Sequence, residues 1–192
     1  MNALQFLKTA LLATAVLFSA CSKDDDNIPN DPNNPDVSAF FSAKVDNQSF
    51  PKANLQFTAA KFVSSTKMLQ IIGQPQDQKE SIVLLLMSFG GKVTTAADWK
   101  PGTYDFDPIH VSNLEYLAIA GYSKWNGNSY DMWGTQWDYV KTGKIIIESN
   151  SGTQIKGTFF VDVVRQNNDG TFNASDIKKI TEGKFDLAIK IY

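Results

Sequence analysis

The stretch Lys184-Phe-Asp-Leu-Ala-Ile-Lys-Ile191 places Phe185, Leu187, Ile189 and Ile191 at every second position, alternating with Lys184, Asp186, Ala188 and Lys190. A period of two is strand geometry, because successive side chains point to opposite faces of a sheet. One apolar face and one mostly polar face predict a half-buried strand. Working outward, runs rich in β-branched and aromatic residues recur at 40–45, 55–63, 67–72, 81–89, 114–122, 144–148 and 156–164. Between them stand turn-forming residues: Asp46-Asn47, Gly90-Gly91, Pro101-Gly102, Asn150-Ser151-Gly152 and Asn168-Asp169-Gly170. Only the short pieces 96–99 and 174–180 read as helical. Many short strands with regular punctuation predict an all-β chain, an antiparallel β-sandwich or barrel-like single domain.

That domain occupies residues 37–192, a length suited to one substantial core. Its charge is balanced, with 16 Lys plus Arg (18 less Lys8 and Lys23) against 15 Asp plus Glu (20 less Asp24, Asp25, Asp26, Asp31 and Asp36). Such a balance argues against a nucleic-acid partner and against a strongly charged polymer partner. The chain has a single cysteine, so no disulfide can staple the fold and the core must hold it.

That cysteine, Cys21, closes an apolar leader. Lys8 and the amino terminus supply positive charge, residues 10–18 are apolar, and Ser19-Ala20 are the small residues a signal peptidase needs. The apolar run is too short to span a bilayer, which takes about 20 residues. Residues 1–20 therefore read as a signal peptide. Residues 21–36 follow as a tether, with Ser22-Lys-Asp-Asp-Asp26 and then Asn-Ile-Pro-Asn-Asp-Pro-Asn-Asn-Pro-Asp36. So little apolar surface cannot offset the entropy of folding, and the prolines favour extended geometry of about 3.1 Å per residue, or on the order of 45 Å in all.

Leu17-Phe-Ser-Ala-Cys21 resembles the bacterial lipobox, in which small residues precede a cysteine that accepts diacylglycerol; Phe18 stands where that pattern prefers an aliphatic residue. The resemblance implies lipid attachment at Cys21 and membrane association through acyl chains, each buried methylene contributing about 0.8 kcal/mol. The acidic cluster Asp24-Asp25-Asp26 resembles the surface-export signal of Bacteroidota lipoproteins, which implies the outer membrane and its outer face. A solvated charge run at the start of a tether is the other reading. Within the domain, Phe41-Ser-Ala-Lys-Val-Asp-Asn-Gln-Ser-Phe50, Pro101-Gly-Thr-Tyr-Asp-Phe106, Gly143-Lys-Ile-Ile-Ile-Glu148, Ile155-Lys-Gly-Thr-Phe-Phe160 and Ile180-Thr-Glu-Gly-Lys-Phe-Asp186 resemble a group of Bacteroidota lipoprotein domains of unknown function. These motifs are turns and alternating strands, and they imply fold and location without a catalytic residue.

The residues themselves offer little enzymatic chemistry. His110 is the only histidine, so a zinc site of two or three histidines is excluded, and no Gly-x-Ser-x-Gly elbow accompanies it. The acid pairs Asp105/Asp107 and Asp131/Asp138 could be read as glycosidase carboxylates, yet neither is distinctive among so many surface acids. Asn126-Gly-Asn128 and Asn167-Asn-Asp-Gly170 read as turns rather than calcium loops. The unusual segment is 122–139, Tyr-Ser-Lys-Trp-Asn-Gly-Asn-Ser-Tyr-Asp-Met-Trp-Gly-Thr-Gln-Trp-Asp-Tyr, with three of the four tryptophans and three of the six tyrosines. Trp125, Tyr130, Trp133 and Trp137 could form a ligand-binding platform for a glycan or another surface protein, or they could pack as core. The expectation is a lipid-anchored, non-enzymatic binding or structural module without cofactor or metal, with a carbohydrate-binding or carbohydrate-active accessory protein as the alternative. A subunit of a surface assembly would be signalled by a long unpaired edge strand.

Overall fold

The computed structural model describes residues 40–50, 58–106, 115–136 and 143–192, all within the unit Val37–Tyr192. Cys21, Asp107, His110, Trp137 and Asp138 lie outside the described residues, as does the tether. The architecture is all-β. Its strands are β1 (Phe40–Val45), β2 (Gln48–Phe50), β3 (Ala59–Val63), β4 (Met68–Gly73), β5 (Glu80–Ser88), β6 (Gly102–Asp105), β7 (Tyr116–Trp125), β8 (Tyr130–Gly134), β9 (Gly143–Asn150), β10 (Gln154–Gln166) and β11 (Phe172–Ile191). Among the described residues one 3-10 turn, Ala96–Asp98, falls where the sequence reads as helical.

The eleven strands form one sheet in the order β2-β1-β11-β3-β4-β5-β7-β8-β10-β9-β6, and β11 also pairs with β10. That last pairing closes a ring of β11, β3, β4, β5, β7, β8 and β10. All neighbours are antiparallel except β11 and β3, which run parallel through Ile189↔Ala60 to Ile191↔Phe62. One edge of β11 carries β1 and then β3; one edge of β10 carries β9 and then β8. The long strands thus serve two sheets each and turn the corners between them. Register shifts at Phe159/Val161 and Val164/Arg165 mark bulges in this ladder, and such insertions increase local twist and bend the strand.

Inside the ring, the alternation read at the carboxyl end of the chain becomes the core. Phe185 and Leu187 from β11 meet Phe41 and Ala43 from β1, Phe159, Val161 and Val163 from β10, Ile145 and Ile147 from β9, and Ile82, Leu84 and Leu86 from β5. Phe41 packs against Phe159 at 5.5 Å and edge-on to Phe50 at 6.1 Å between ring centroids. Strands β5 and β7 are apolar on both faces, since Val83, Leu85, Leu117 and Ile119 are buried on the side opposite Ile82, Leu84, Ala118 and Ala120. This is the reason residues 82–87 are apolar without alternation.

Residues 174–180 correct the expectation of a helix. They are strand, with Ile177, Lys178, Lys179 and Ile180 paired to Val164, Val163, Asp162 and Val161. Ile177 and Ile180 are three apart, a helical spacing, but β10 offers a ladder of partners and tertiary pairing overrides the local pattern. The two sheet edges are short, three residues in β2 and four in β6 among the described residues. Neither is the long unpaired edge that would mark strand-to-strand assembly.

Candidate functional site

The β7–β8 hairpin carries the aromatic segment and decides which of its rings face outward. Asn126-Gly127 turns the chain: the Asn126 side-chain oxygen accepts from the amides of Asn128 and Ser129 at 3.0 Å each, and Gly127 has φ of 103°. The Asn126 amide donates onward to Asp131 at 2.8 Å. The register that results pairs Trp125 with Tyr130 and Tyr122 with Trp133. Because side chains alternate, the first pair falls on the outer face and the second on the core face.

Trp125 is 37% exposed and Tyr130 46%. Their rings meet edge to face at 5.1 Å and 61°. The Tyr130 hydroxyl donates to the Gln78 carbonyl at 2.8 Å, and the Trp125 amide donates to the Lys79 carbonyl at 2.7 Å. The neighbouring β4–β5 turn therefore holds both residues in place, and both remain partly exposed.

Trp133 is different, at 6% exposed. Its indole Nε1 donates to Asp176 at 3.0 Å, Tyr122 lies against it at 5.4 Å, and Arg165 and Lys178 stand over its ring at 4.8 and 5.6 Å. Arg165 in turn pairs with Asp131 at 2.6 Å and lies 3.9 Å from Asp176, while Lys178 pairs with Asp46 at 2.8 Å. Glu80 and Lys124 add a further pair at 3.2 Å. These charged side chains, all but the turn residue Asp46 on strands, surround Tyr122 and Trp133 and end the apolar core in a hydrogen-bonded, ion-paired network.

Electrostatics follow from this packing. Burial, then the charge of Glu80 and a hydrogen bond to it, then the charge of Asp46, hold the Tyr122 phenol well above the usual range. For Asp46, burial works upward, but hydrogen bonds from Lys178 and the Lys179 amide, together with both lysine charges, bring its carboxyl below the usual value. Asp98 accepts from the amides and hydroxyls of Thr94 and Thr95, at 2.8 to 3.0 Å, and is held well below the carboxylate range. This last network locks the 3-10 turn.

Of the four aromatic residues singled out in the sequence, the structure joins Trp125 and Tyr130 into one exposed pair and sets Trp133 apart as a buried packing residue. Asp131, one of the acids weighed for catalysis, is engaged by Arg165 and Asn126, and Asp105 lies 3.7 Å from Lys144. Among the described residues no group of three or more His, Cys, Asp or Glu could hold a metal ion. Sequence reading missed a second feature, a shallow groove of about 430 Å³ lined by Phe40, Ser42, Thr158, Phe160, Glu182 and Lys184. Its residues are scattered over β1, β10 and β11, so no local pattern marks it. No protein-family model, curated protein or solved structure matches this chain.

Proposed function

We propose that the chain is a lipoprotein anchored through acylated Cys21 at the outer membrane, where its β domain acts as a non-enzymatic binding module exposed at the cell surface. The anchor rests on the leader, Ser19-Ala20-Cys21 and the acidic run that follows. The binding reading rests on one observation: Trp125 and Tyr130 form a fixed, solvent-facing aromatic pair on a hairpin tied to its neighbouring turn. Exposed aromatic rings held in place cost little entropy on binding and suit a flat, partly apolar ligand face. Sugar rings present such a face, which favours a glycan over a second protein as the ligand.

Two measurements test the reading. Metabolic labelling with a radioactive fatty acid should mark the intact chain and leave Cys21→Ala unlabelled; equal labelling of both would remove the anchor. A glycan array probed with the intact protein should give hits that weaken at least tenfold, about 1.4 kcal/mol, in Trp125→Ala and Tyr130→Ala. Thermal unfolding should be within a few degrees of wild type in both variants, since the rings are exposed. Hits retained by the two variants would reject the hairpin as the contact face.

A further inference from the structure

The groove on β1, β10 and β11 is lined by residues other than those that touch the aromatic hairpin, and its chemistry differs from the hairpin's. Phe40 and Phe160 line it with rings 47% and 42% exposed, although a strand surface facing water ordinarily carries polar residues at such positions. Two exposed rings in one concavity are a stronger signal than the same rings scattered singly. Lys184 lies on β11 between them, paired in register with Ser42 on β1 and with Thr158 on β10.

The bulge at Phe159/Val161 gives the groove its shape. Thr181 and Glu182 together oppose Phe160, and Glu182 takes the left-handed conformation with φ of 52°. Its carboxylate is turned to Lys44, at 2.7 Å, which cancels its charge locally. Asp186, one step along β11, accepts from Gln154 at 2.7 Å. Lys184 has no ion-pair or hydrogen-bond partner among the described residues, and the hydroxyls of Ser42 and Thr158 likewise have none. Among the described residues the groove therefore presents an ammonium without an ion-pair partner, two hydroxyls without a hydrogen-bond partner and two apolar rings, with the Asp186 carboxylate beside them on the same face.

We infer that this groove binds a carboxylate-bearing sugar residue, a uronate within a saccharide. The Lys184 ammonium would take the carboxylate, Phe40 and Phe160 would cover C–H faces of the pyranose, and Ser42 and Thr158 would serve its hydroxyls. A peptide added as an extra strand does not fit, because β11 here is already hydrogen-bonded to β1 on one side and β10 on the other. A volume of about 430 Å³ lies within the range of about 300–1,000 Å³ typical of small-ligand sites. A single cation suits one acidic group rather than a polyanion.

The site is tested by calorimetric titration of the detergent-purified full chain with a trisaccharide carrying one galacturonate residue and with the matching neutral trigalactoside. The expected result is saturable binding of the uronide, at least tenfold weaker in Lys184→Gln and in Phe160→Ala, and unchanged in Trp125→Ala. Binding should also weaken as salt rises from 50 to 300 mM. Equal affinity for the neutral sugar, or uronide binding untouched by Lys184→Gln, would overturn the assignment. So would no uronide binding at all, or a Lys184-dependent affinity seen only for oligoglutamate or for anionic phospholipid vesicles. A failure of the hairpin variants on the array leaves this result unaffected, so the two sites stand or fall separately.

Discussion

Gly157 and Gly183 lack side chains because aromatic rings occupy the space. A Cβ on Gly157 would meet the Ile146 carbonyl oxygen and sit 2.6 Å from the Phe185 ring, and one on Gly183 would sit 2.5 Å from Phe159. Overpacking a rigid core costs typically about 1–3 kcal/mol. Gly157→Ala should therefore lower stability by at least that much in urea unfolding, because a backbone oxygen has nowhere to move; a midpoint equal to wild type would contradict the packing. Tyr122 gives a second test at this scale. Its folded phenol titrates above the unfolded value of about 10. The stabilisation this represents is fully present below about pH 10 and is lost as pH rises from there toward the folded pKa. Tyr104, raised by burial and then by Tyr116, acts in the same direction. Tyr122→Phe should thus show a shallower fall of Tm between pH 9.5 and 11 than wild type, though not a flat one, since Tyr104 remains. Parallel Tm curves would show that Tyr122 does not titrate differently in the folded state.

At the scale of elements, β8 is only five residues long and is held between β7 and β10. Trp133 ties it further to β11 through the Asp176 hydrogen bond and to β10 through Arg165 over its ring. Trp133→Phe keeps an aromatic ring but removes the indole donor, leaving the Asp176 carboxylate without it. A hydrogen bond to a charged group contributes about 1.5–3 kcal/mol, and in a domain of this size each kcal/mol moves Tm by about 2–4 °C. A drop of about 3–12 °C in thermal unfolding is expected, with glycan binding per folded molecule unchanged. A loss of binding at preserved Tm would instead return Trp133 to the ligand surface. The hairpin also shows how far sequence reading could go. Asn126-Gly127 is a turn signal inside the aromatic segment, but only the four-residue loop 126–129 that the structure shows, centred between Gly127 and Asn128, pairs Trp125 with Tyr130 and Tyr122 with Trp133. Read without that hairpin, the aromatic residues form one undivided cluster.

The whole molecule depends on where its sheet closes. Ile189, Lys190 and Ile191 pair with β3, and beyond them the Tyr192 amide donates to the Phe62 carbonyl while its own carbonyl accepts from Ser64, both at 2.9 Å. Deleting residues 189–192 should open the ring at this seam. At about 1 kcal/mol for each lost hydrogen bond, Tm should fall by at least about 4 °C, and amide exchange in β3 should speed up relative to β5. Unchanged exchange in β3 would mean the seam bears no weight. Much of this molecule could be read from its residues one strand at a time. The alternation of 184–191, the β-branched runs and the Asp46-Asn47 turn, whose φ values of 49° and 65° are both left-handed, specify strands and hairpins through local sterics and face polarity. The same reading suggested an acyl anchor at Cys21, which lies outside the described residues, and found the unusual aromatic segment. Tertiary structure alone decided the rest, because it depends on which distant strands become neighbours. Residues 174–180 became strand because β10 supplied partners for their backbone groups. Trp133 was buried because its register set it on the core face. Phe40, Phe160 and Lys184, separated by more than a hundred residues of chain at the extremes, came together because β1 and β10 flank the same length of β11.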